Sequence, residues 1–298
     1  MLRAARLAPV IRLRDNTFVP YVPTRPYQRI RLFGPLRVAF YSRYPEKVLP
    51  TYRLSATREV LYGPMILLST EVFRADEPLA SWVLDDWEDN ATMSTSLGLF
   101  VHGWVDDEYW FSRGGMVFQA NLQNPILVYL RRHEIPAALR NFYNDFVACY
   151  YPTVNVFTEE YRQWRAASGP FYKVADEAKF VNRLRELLVR EDGDTLWLAA
   201  GIPRRWLSPG ERVEVREAPT YFGPVSYGIE ATEAGTKARV QLPTRNPCRT
   251  AWLVLRVPAD KTIRSVEIDG KPWKHFDQAT ERIRLPIRSE PMQITVRY

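Results

Sequence analysis

Residues 187–231 read LLVREDGDTLWLAAGIPRRWLSPGERVEVREAPTYFGPVSYGIEA, and the hydrophobic pattern changes within them. The stretch opens at the end of an amphipathic helical pattern and continues as short runs such as ERVEVREA, separated by Pro and Gly. Alternation of apolar and polar residues predicts strands with one buried face. We therefore predict a change from helical to β structure at residues 192–194.

The β-like pattern persists to the end of the chain. The runs are enriched in β-branched residues or alternate, and Pro and Gly turns separate them. They are DTLWLAAGI (194–202), ERVEVREA (211–218), VSYGIEAT (225–232), KARVQLP (237–243), TAWLVLRVP (250–258), RSVEIDG (264–270), ERIRLPI (281–287) and MQITVRY (292–298). Asp269-Gly270 is a strong signal for a two-residue hairpin. About eight antiparallel strands at this spacing predict a β-sandwich over residues 193–298.

Helical periodicity dominates residues 54–192. Apolar residues recur near the helical period between residues 57 and 90, where Pro78 fits the first turn of a helix. The pattern returns in QNPILVYLRRHEIPAALRNFYNDFVACYY (123–151), with Pro136 near another helix start. Its apolar stripe comprises Ile135, Ala138, Leu139, Phe142 and Phe146. Each stretch predicts two helices joined by a short link.

A last helix is predicted over ADEAKFVNRLRELLVRED (175–192). The expected buried face consists of Ala178, Val181, Leu184 and Leu188, and the expected outward residues are Arg183, Arg185, Glu186 and Arg190. Gly193 suits the position that ends a helix. The helical region is therefore expected to end near residue 192.

Charge and hydropathy argue against two classes of partner. The net charge is +7, but eleven basic and two acidic residues lie in residues 1–53, which we interpret as an extended basic arm with short strands. Acidic and aromatic residues are concentrated elsewhere, so we expect no nucleic-acid partner. No run reaches 18 uncharged apolar residues and no signal-peptide pattern occurs, so we expect neither a membrane span nor a membrane partner.

Metal and cofactor motifs are also missing from the sequence. Cys149 and Cys248 are far apart, and the three histidines are scattered without ligand spacing, so we predict no metal site. The sequence has neither a Walker loop nor a dinucleotide-binding loop, so we predict no cofactor. A calcium site at residues 106–108 is an open alternative, although the loop lacks a recognisable ligand spacing.

One candidate carbohydrate site lies in GWVDDEYWFSRGGMVFQANLQNP (103–125). Aromatic rings stack on the C–H face of a sugar, and carboxylates accept hydrogen bonds from its hydroxyls. Asp107 and Glu108 are the candidate catalytic residues, and Gly114-Gly115 would allow the backbone to approach a ligand. The candidate substrate-binding residues are Trp104, Tyr109, Trp110, Arg113 and Gln119. The competing interpretation is a solvated acidic loop whose aromatic side chains pack on an adjoining helix.

The stretch 187–231 resembles the junction between an (α/α) toroid and a terminal sandwich in large bacterial proteins of the six-hairpin glycosidase superfamily. The segments DTLWLA and APTYFGPVSY carry this resemblance, and LRNFYNDFVACYY (139–151) is similar to the last full hairpin of that toroid. The resemblance covers roughly residues 50–298. It implies an α+β multidomain fold in which a partial (α/α) toroid of helical hairpins precedes an antiparallel β-sandwich. The expected domains are 1–53, 54–192 and 193–298.

The resemblance also implies a second part of the site, in NVFTEEYRQWRAASGPFYK (155–173). The family has an acidic residue beside aromatics here, in a loop that faces the cavity. Glu159 and Glu160 match that position, and Tyr161 and Trp164 are candidate substrate-binding residues. The other interpretation makes Thr158 a helix N-cap, with the two acids in the first turn.

What the resemblance implies for function is a glycoside-hydrolase-like protein that acts on carbohydrate by general acid and base catalysis. The alternative is a noncatalytic carbohydrate-binding or scaffolding module. A closed toroid needs more helices than this sequence predicts, so we expect the chain to be the C-terminal portion of a longer protein. Helices without their neighbours would expose apolar faces, which predicts self-association or an upstream partner polypeptide.

Overall fold

The computed structural model describes residues 10–12, 18–20, 22, 65–86, 125–157, 160–163, 166–168, 174–246 and 248–298. The chain divides into two compact units, Met1–Arg183 and Leu184–Tyr298. The predicted division into residues 1–53, 54–192 and 193–298 stays a prediction.

The first unit contains helices and short β-hairpins. Residues 65–69 are helical. The labelled elements are β1 (Val10–Arg12), β2 (Phe18–Pro20), α1 (Pro78–Asp86), α2 (Pro125–Arg131), α3 (Ile135–Cys149), β3 (Tyr150–Tyr151), β4 (Val156–Phe157), β5 (Glu160–Gln163), β6 (Ala166–Ser168) and α4 (Val174–Leu188), which begins in the first unit and ends in the second. Strand β1 pairs with β2, β3 with β4 and β5 with β6, all antiparallel.

The predicted helix starts agree with the structure. Helix α1 begins at Pro78, and α3 carries Pro136 in its first turn, where the missing N–H of proline costs no intrahelical bond. Helices α2 and α3 pack against each other as the expected pair. The apolar stripe of α3 is buried at Ile135, Ala138 and Phe142.

The predicted partial toroid is wrong. Within the described ranges, β structure predominates and the helices do not form a ring of hairpins. Residues 150–168 instead contain the hairpins β3–β4 and β5–β6. Aromatic and β-branched residues such as Tyr150, Tyr151 and Val156 favour extended backbone, which interrupts the helical succession. The alternative helix starting at Thr158 is also wrong, because Glu160–Gln163 is a strand.

Helix α4 buries a different face from the one predicted. The buried residues are Asp176, Phe180, Arg183 and Leu187, whereas Val181 is 62% exposed. The observed stripe precedes the predicted one by about one residue, a rotation of roughly 100° about the helix axis. Assigning Arg183 to solvent caused the error. The helix also ends at Leu188 rather than near residue 192.

Two sheets form the second unit. Its strands are β7 (Val189–Asp192), β8 (Thr195–Leu198), β9 (Arg212–Ala218), β10 (Val225–Thr232), β11 (Gly235–Gln241), β12 (Thr250–Val254), β13 (Ser265–Ile268), β14 (Lys271–Pro272), β15 (Phe276–Asp277), β16 (Arg282–Leu285) and β17 (Met292–Arg297), with a 3-10 helix at Arg204–Leu207. The six-stranded sheet has the order β14-β13-β17-β11-β10-β9, and the five-stranded sheet has the order β15-β16-β12-β8-β7.

The sheets share one apolar core. Leu198 and Leu253 from the five-stranded sheet belong to the same buried cluster as Val240 and Ile294 from the six-stranded sheet. Burial alternates along the strands, as in β10, where Val225, Tyr227 and Ile229 point inward and the intervening residues do not. This alternation leaves the opposite face of the six-stranded sheet polar.

All eight predicted β runs contain a strand. Asp269 and Gly270 have φ of 52° and 74° and join β13 to β14, as the hairpin signal predicted. Two details differ from the expectation. Strands β8 and β12 pair in parallel, so the sandwich is not purely antiparallel. Gly193 lies in the turn between β7 and β8 instead of ending a helix.

Candidate functional site

Most of the predicted catalytic and sugar-binding residues lie outside the described residues. These are Trp104, Asp107, Glu108, Tyr109, Trp110, Arg113, Gln119, Glu159 and Trp164. Glu160 and Tyr161 lie on strand β5, where the backbone of Glu160 pairs with that of Ser168. The roles assigned to all these residues stay predictions.

The first unit contains a buried ion pair between α3 and α4. Arg183 Nη1 donates a hydrogen bond to Asp145 Oδ2 at 2.8 Å, and both side chains are almost fully buried. Burial raises the pKa of the Asp145 carboxyl to about 7, against the lowering effect of the Arg183 guanidinium. Asp176, also buried, lies on the same face of α4.

Aromatic side chains pack between α3, α4 and the β3–β4 hairpin. Phe180 of α4 stacks on Phe142 at 4.9 Å and on Phe157 at 4.2 Å between ring centroids. The backbone N–H of Phe157 donates a hydrogen bond to Glu177 Oε1 at 3.1 Å, which ties the β3–β4 hairpin to α4. A carboxyl with a raised pKa is a common feature of general acids. Asp145 is nevertheless only 4% exposed, so we assign the pair to the packing of the first unit.

A polar groove of about 490 Å³ lies on the outward face of the six-stranded sheet. Its floor is formed by strands β9, β10 and β11, with Gly228 in the middle. Glu214 pairs with Gly228 across β9, and Arg239 pairs with it across β11. Gln293 of β17 lies next to Arg239 in the sheet. The pleat directs these alternate residues away from the apolar core and into the groove.

The charge of the groove is predominantly positive. Four basic residues line it (Arg212, Arg216, Lys237 and Arg239), against two acidic residues (Glu214 and Glu230). Arg212 and Arg216 contact Glu214 at 3.3 and 2.9 Å. Among the residues that the structure describes, Arg239 and Lys237 have no hydrogen-bond or ion-pair partner. The groove therefore holds cationic groups that are available to a ligand.

The Glu214 carboxylate, at the edge of the groove, does not have the environment of a general acid. The hydrogen bond from Arg216 lowers the pKa of the Glu214 carboxyl. Strand β9 bulges beside it, because Arg216 and Glu217 together face Ser226, and Glu217 has a φ of 47°. The Glu217 backbone N–H donates a hydrogen bond to Ser226 Oγ at 2.8 Å, which fixes the bulge. This geometry suits binding rather than proton transfer.

The groove was not predicted from the sequence, although part of its signal is visible. In the segments RVEVR, SYGIE and KARVQ, the outward positions are polar or glycine, in contrast to the apolar inward positions. What the sequence did not provide is the order of the strands. The three segments become neighbours only through the pairing of β9, β10 and β11.

The described residues contain neither a cluster of metal ligands nor a helix that could span a membrane. No group of three His, Cys, Asp or Glu side chains there could hold a metal ion. No helix in that part of the chain has the length and apolar character needed to cross a bilayer. The predictions concerning metals and cofactors stay predictions.

Comparison with known proteins finds distant structural similarity. No protein-family model matches the chain, and no curated protein matches it. A solved structure described as a glycoside hydrolase is similar over 61% of this chain and 33% of its own, at 8% sequence identity and a TM-score of 0.30. The chain spans about a third of the length of that protein. A similarity this low establishes neither a shared fold nor an activity.

Proposed function

We propose that this protein is glycoside-hydrolase-like and binds carbohydrate. The observation that carries the proposal is the polar groove on the six-stranded sheet. Sugar hydroxyls both donate and accept hydrogen bonds, and the groove offers guanidinium donors, carboxylate acceptors and the amides of Gln241 and Gln293. Its volume of about 490 Å³ is within the range of small-ligand sites. The resemblance of residues 187–231 to a glycosidase junction supports the same substrate class.

The catalytic form of the proposal assigns the chemistry to carboxylates outside the groove. Glu160 or Glu159 and Asp107 or Glu108 act as general acid and base on a glycosidic bond. Tyr161 and Trp164, together with Trp104, Tyr109, Trp110, Arg113 and Gln119, bind the sugar.

The catalytic form is tested by turnover of a panel of neutral and acidic oligosaccharides. We expect Glu160→Gln and Asp107→Asn to abolish release of reducing ends while the circular dichroism and the melting temperature stay unchanged. Glu290→Gln, an exposed carboxylate in the second unit, is the control and should keep full turnover. Unchanged turnover in both site variants would overturn the assignment.

The second candidate function is a noncatalytic carbohydrate-binding or scaffolding module. The groove favours it, because hydrogen-bonding groups for a sugar lie there, while its carboxylate Glu214 is ion-paired to Arg212 and Arg216 and serves as an acceptor. In this case Trp104, Trp110 and Trp164 contribute binding alone. Calorimetry should then give equal affinities for the wild type, Glu160→Gln and Asp107→Asn, whereas Trp110→Ala should lose binding. Turnover of any glycan by the wild type would exclude this alternative.

We further propose self-association or association with a second polypeptide, which the exposed apolar side chains of Val174 and Val181 on helix α4 support. Light scattering of the purified chain tests this directly. A monodisperse monomer that survives heating would count against it.

A further inference from the structure

We propose that the groove on the six-stranded sheet binds a carboxylated oligosaccharide, with a uronate carboxylate on Arg239 and the sugar ring over Gly228. The inference rests on the proposed function for the substrate class and adds the charge and the place of binding. Three observations support it: a glycine that the fold does not require, cationic groups without a polar partner, and further hydrogen-bonding groups along the floor of the groove.

Gly228 lies in the interior of β10, where glycine weakens a strand. A β-carbon built on Gly228 would meet no atom within 4 Å, and its φ is not in the left-handed region. Neither packing nor backbone conformation therefore requires glycine at this position. Close approach of a ligand to the backbone is another reason for a glycine inside a strand, and here the groove lies directly above it.

Gly235 in the neighbouring strand β11 shows the opposite case. Its φ is 155°, and an added β-carbon would lie 2.0 Å from the carbonyl oxygen of Val296. The fold alone explains Gly235. The contrast between two glycines of one sheet indicates that Gly228 serves something outside the fold.

The charge of the groove defines the ligand. Arg239 is exposed, lies beside Gly228 and has no polar partner among the described side chains. A guanidinium binds a carboxylate through two parallel N–H···O bonds, which gives both affinity and orientation. The four basic and two acidic residues leave the lining with an excess of positive charge. A neutral glycan would leave this excess unused.

The lining also explains why a saccharide fits better than a simple anion. Gln293 next to Arg239 and Ser226 next to Gly228 present hydrogen-bonding groups along the floor. Glu214 is held ionised by Arg216 and accepts hydrogen bonds from hydroxyls. An inorganic anion such as sulfate would meet the cations, but it has no hydroxyl group to donate a hydrogen bond to the Glu214 carboxylate.

Calorimetry on the full chain tests the proposal, with tetragalacturonate and its fully methyl-esterified form as probes. We expect tetragalacturonate to bind and the ester to bind about 10-fold or more weakly. Arg239→Gln should weaken tetragalacturonate binding about 10- to 100-fold, and Gly228→Val should abolish it by filling the space above the floor. The melting temperature of Gly228→Val should not fall.

Matched controls lie on the same sheet outside the groove. Arg297→Gln removes an exposed guanidinium from β17, and Ser265→Val adds bulk on β13. Both should retain wild-type affinity for tetragalacturonate.

Sodium citrate at the same concentration should not compete with tetragalacturonate. If citrate competes with equal affinity, the groove is a general anion site, and the assignment of a saccharide ligand is overturned.

The remaining outcomes separate this inference from the proposed function. If tetragalacturonate and its methyl ester bind with equal affinity, and Arg239→Gln does not change that affinity, the role of charge is overturned and the proposal of carbohydrate binding remains. Tetragalacturonate binding that persists in Gly228→Val, or a wild type that binds or turns over neutral glycans but does not bind tetragalacturonate, overturns the groove and leaves the proposed function intact. Absence of binding and turnover for every glycan overturns both.

Discussion

Two buried regions, one in each unit, differ in the chemistry of their side chains. The core between the sheets of the second unit is built from aliphatic and aromatic residues, whereas the α3–α4 contact of the first unit encloses Asp145, Asp176 and Arg183. An apolar core loses stability in proportion to the volume removed from it. A buried ion pair is stabilising only while both partners are present, because either charge alone is costly to bury. The lost stability should therefore be restored in different ways: by replacing both charges in the region of the first unit, and by restoring side-chain volume in that of the second.

The largest effect is expected when one partner of the buried pair is removed. Asp145→Ala leaves the Arg183 guanidinium buried without its carboxylate, so the free energy of unfolding should fall by about 3–5 kcal/mol. Urea unfolding measures the loss, and hydrogen exchange of peptides from residues 135–149 assigns it to the first unit.

The double variant Asp145→Leu with Arg183→Met is the control for this effect. Replacing both charges with apolar groups removes the desolvation cost, so most of the lost stability should return. If Asp145→Ala unfolds at the same urea concentration as the wild type, the pair contributes nothing and the comparison between the two units fails.

A cavity in the apolar core should cost somewhat less. Leu253 on β12 is fully buried between the sheets. Leu253→Ala removes its branched end and should lower the free energy of unfolding by about 2–5 kcal/mol. Because no charge is stranded, Leu253→Met should restore most of it, with a cost below about 1.5 kcal/mol. Equal losses for Ala and Met would show that shape rather than volume governs this core.

The two kinds of core also explain what could be predicted from the sequence. In the sandwich, most strands have one apolar and one polar face, so alternation, β-branched enrichment and Pro and Gly turns together located all eight predicted strands. In α4 the buried face includes Asp176 and Arg183, which any hydrophobicity pattern assigns to solvent. The toroid was wrong for a related reason, since helical periodicity locates helices but does not define how they assemble.

The candidate site likewise has a part that the sequence predicts and a part that it does not. Strand runs predicted which residues of β9, β10 and β11 face outward, but only pairing in the sheet brings Glu214, Gly228 and Arg239 together. Sheet order depends on long-range contacts that no local pattern encodes. Arg239 was therefore missed as a site residue, although its place on a strand was predicted.

A third prediction concerns Gly235, where the backbone of the sandwich admits no side chain. Gly235→Ala places a β-carbon against the Val296 carbonyl in a conformation that L residues rarely adopt. We expect a loss of about 1–3 kcal/mol in the free energy of unfolding. Differential scanning calorimetry measures it, with Ala279→Gly, in an exposed turn, as the control. A stability equal to wild type would mean that β11 and β17 separate at no cost.

The buried pair should also make the first unit sensitive to pH. The pKa of Asp145 is raised to about 7 in the folded chain, above its usual value of 3.8, so the folded state holds a proton that the unfolded state releases. This contribution is complete below about pH 4 and is lost as the pH rises through about 7, with a slope of about 1.4 kcal/mol per pH unit between them. Hydrogen exchange of residues 135–149 from pH 5 to pH 7 measures it. Asp145→Asn should remove this slope, and an unchanged slope would assign it to other groups.

The smallest expected effect has the opposite sign. Gly228→Val fills open space on the sheet surface and replaces a poor strand former with a good one, so the free energy of unfolding should rise by about 0.5–1 kcal/mol. Thermal unfolding measures the change, with Ser265→Val as the control. Because Ser265 already has a β-carbon, its replacement by Val should change stability less. A loss of stability in Gly228→Val would mean that the fold itself needs this glycine. A gain in stability together with a loss of ligand binding would show that the sheet gives up stability at this position to keep its surface open.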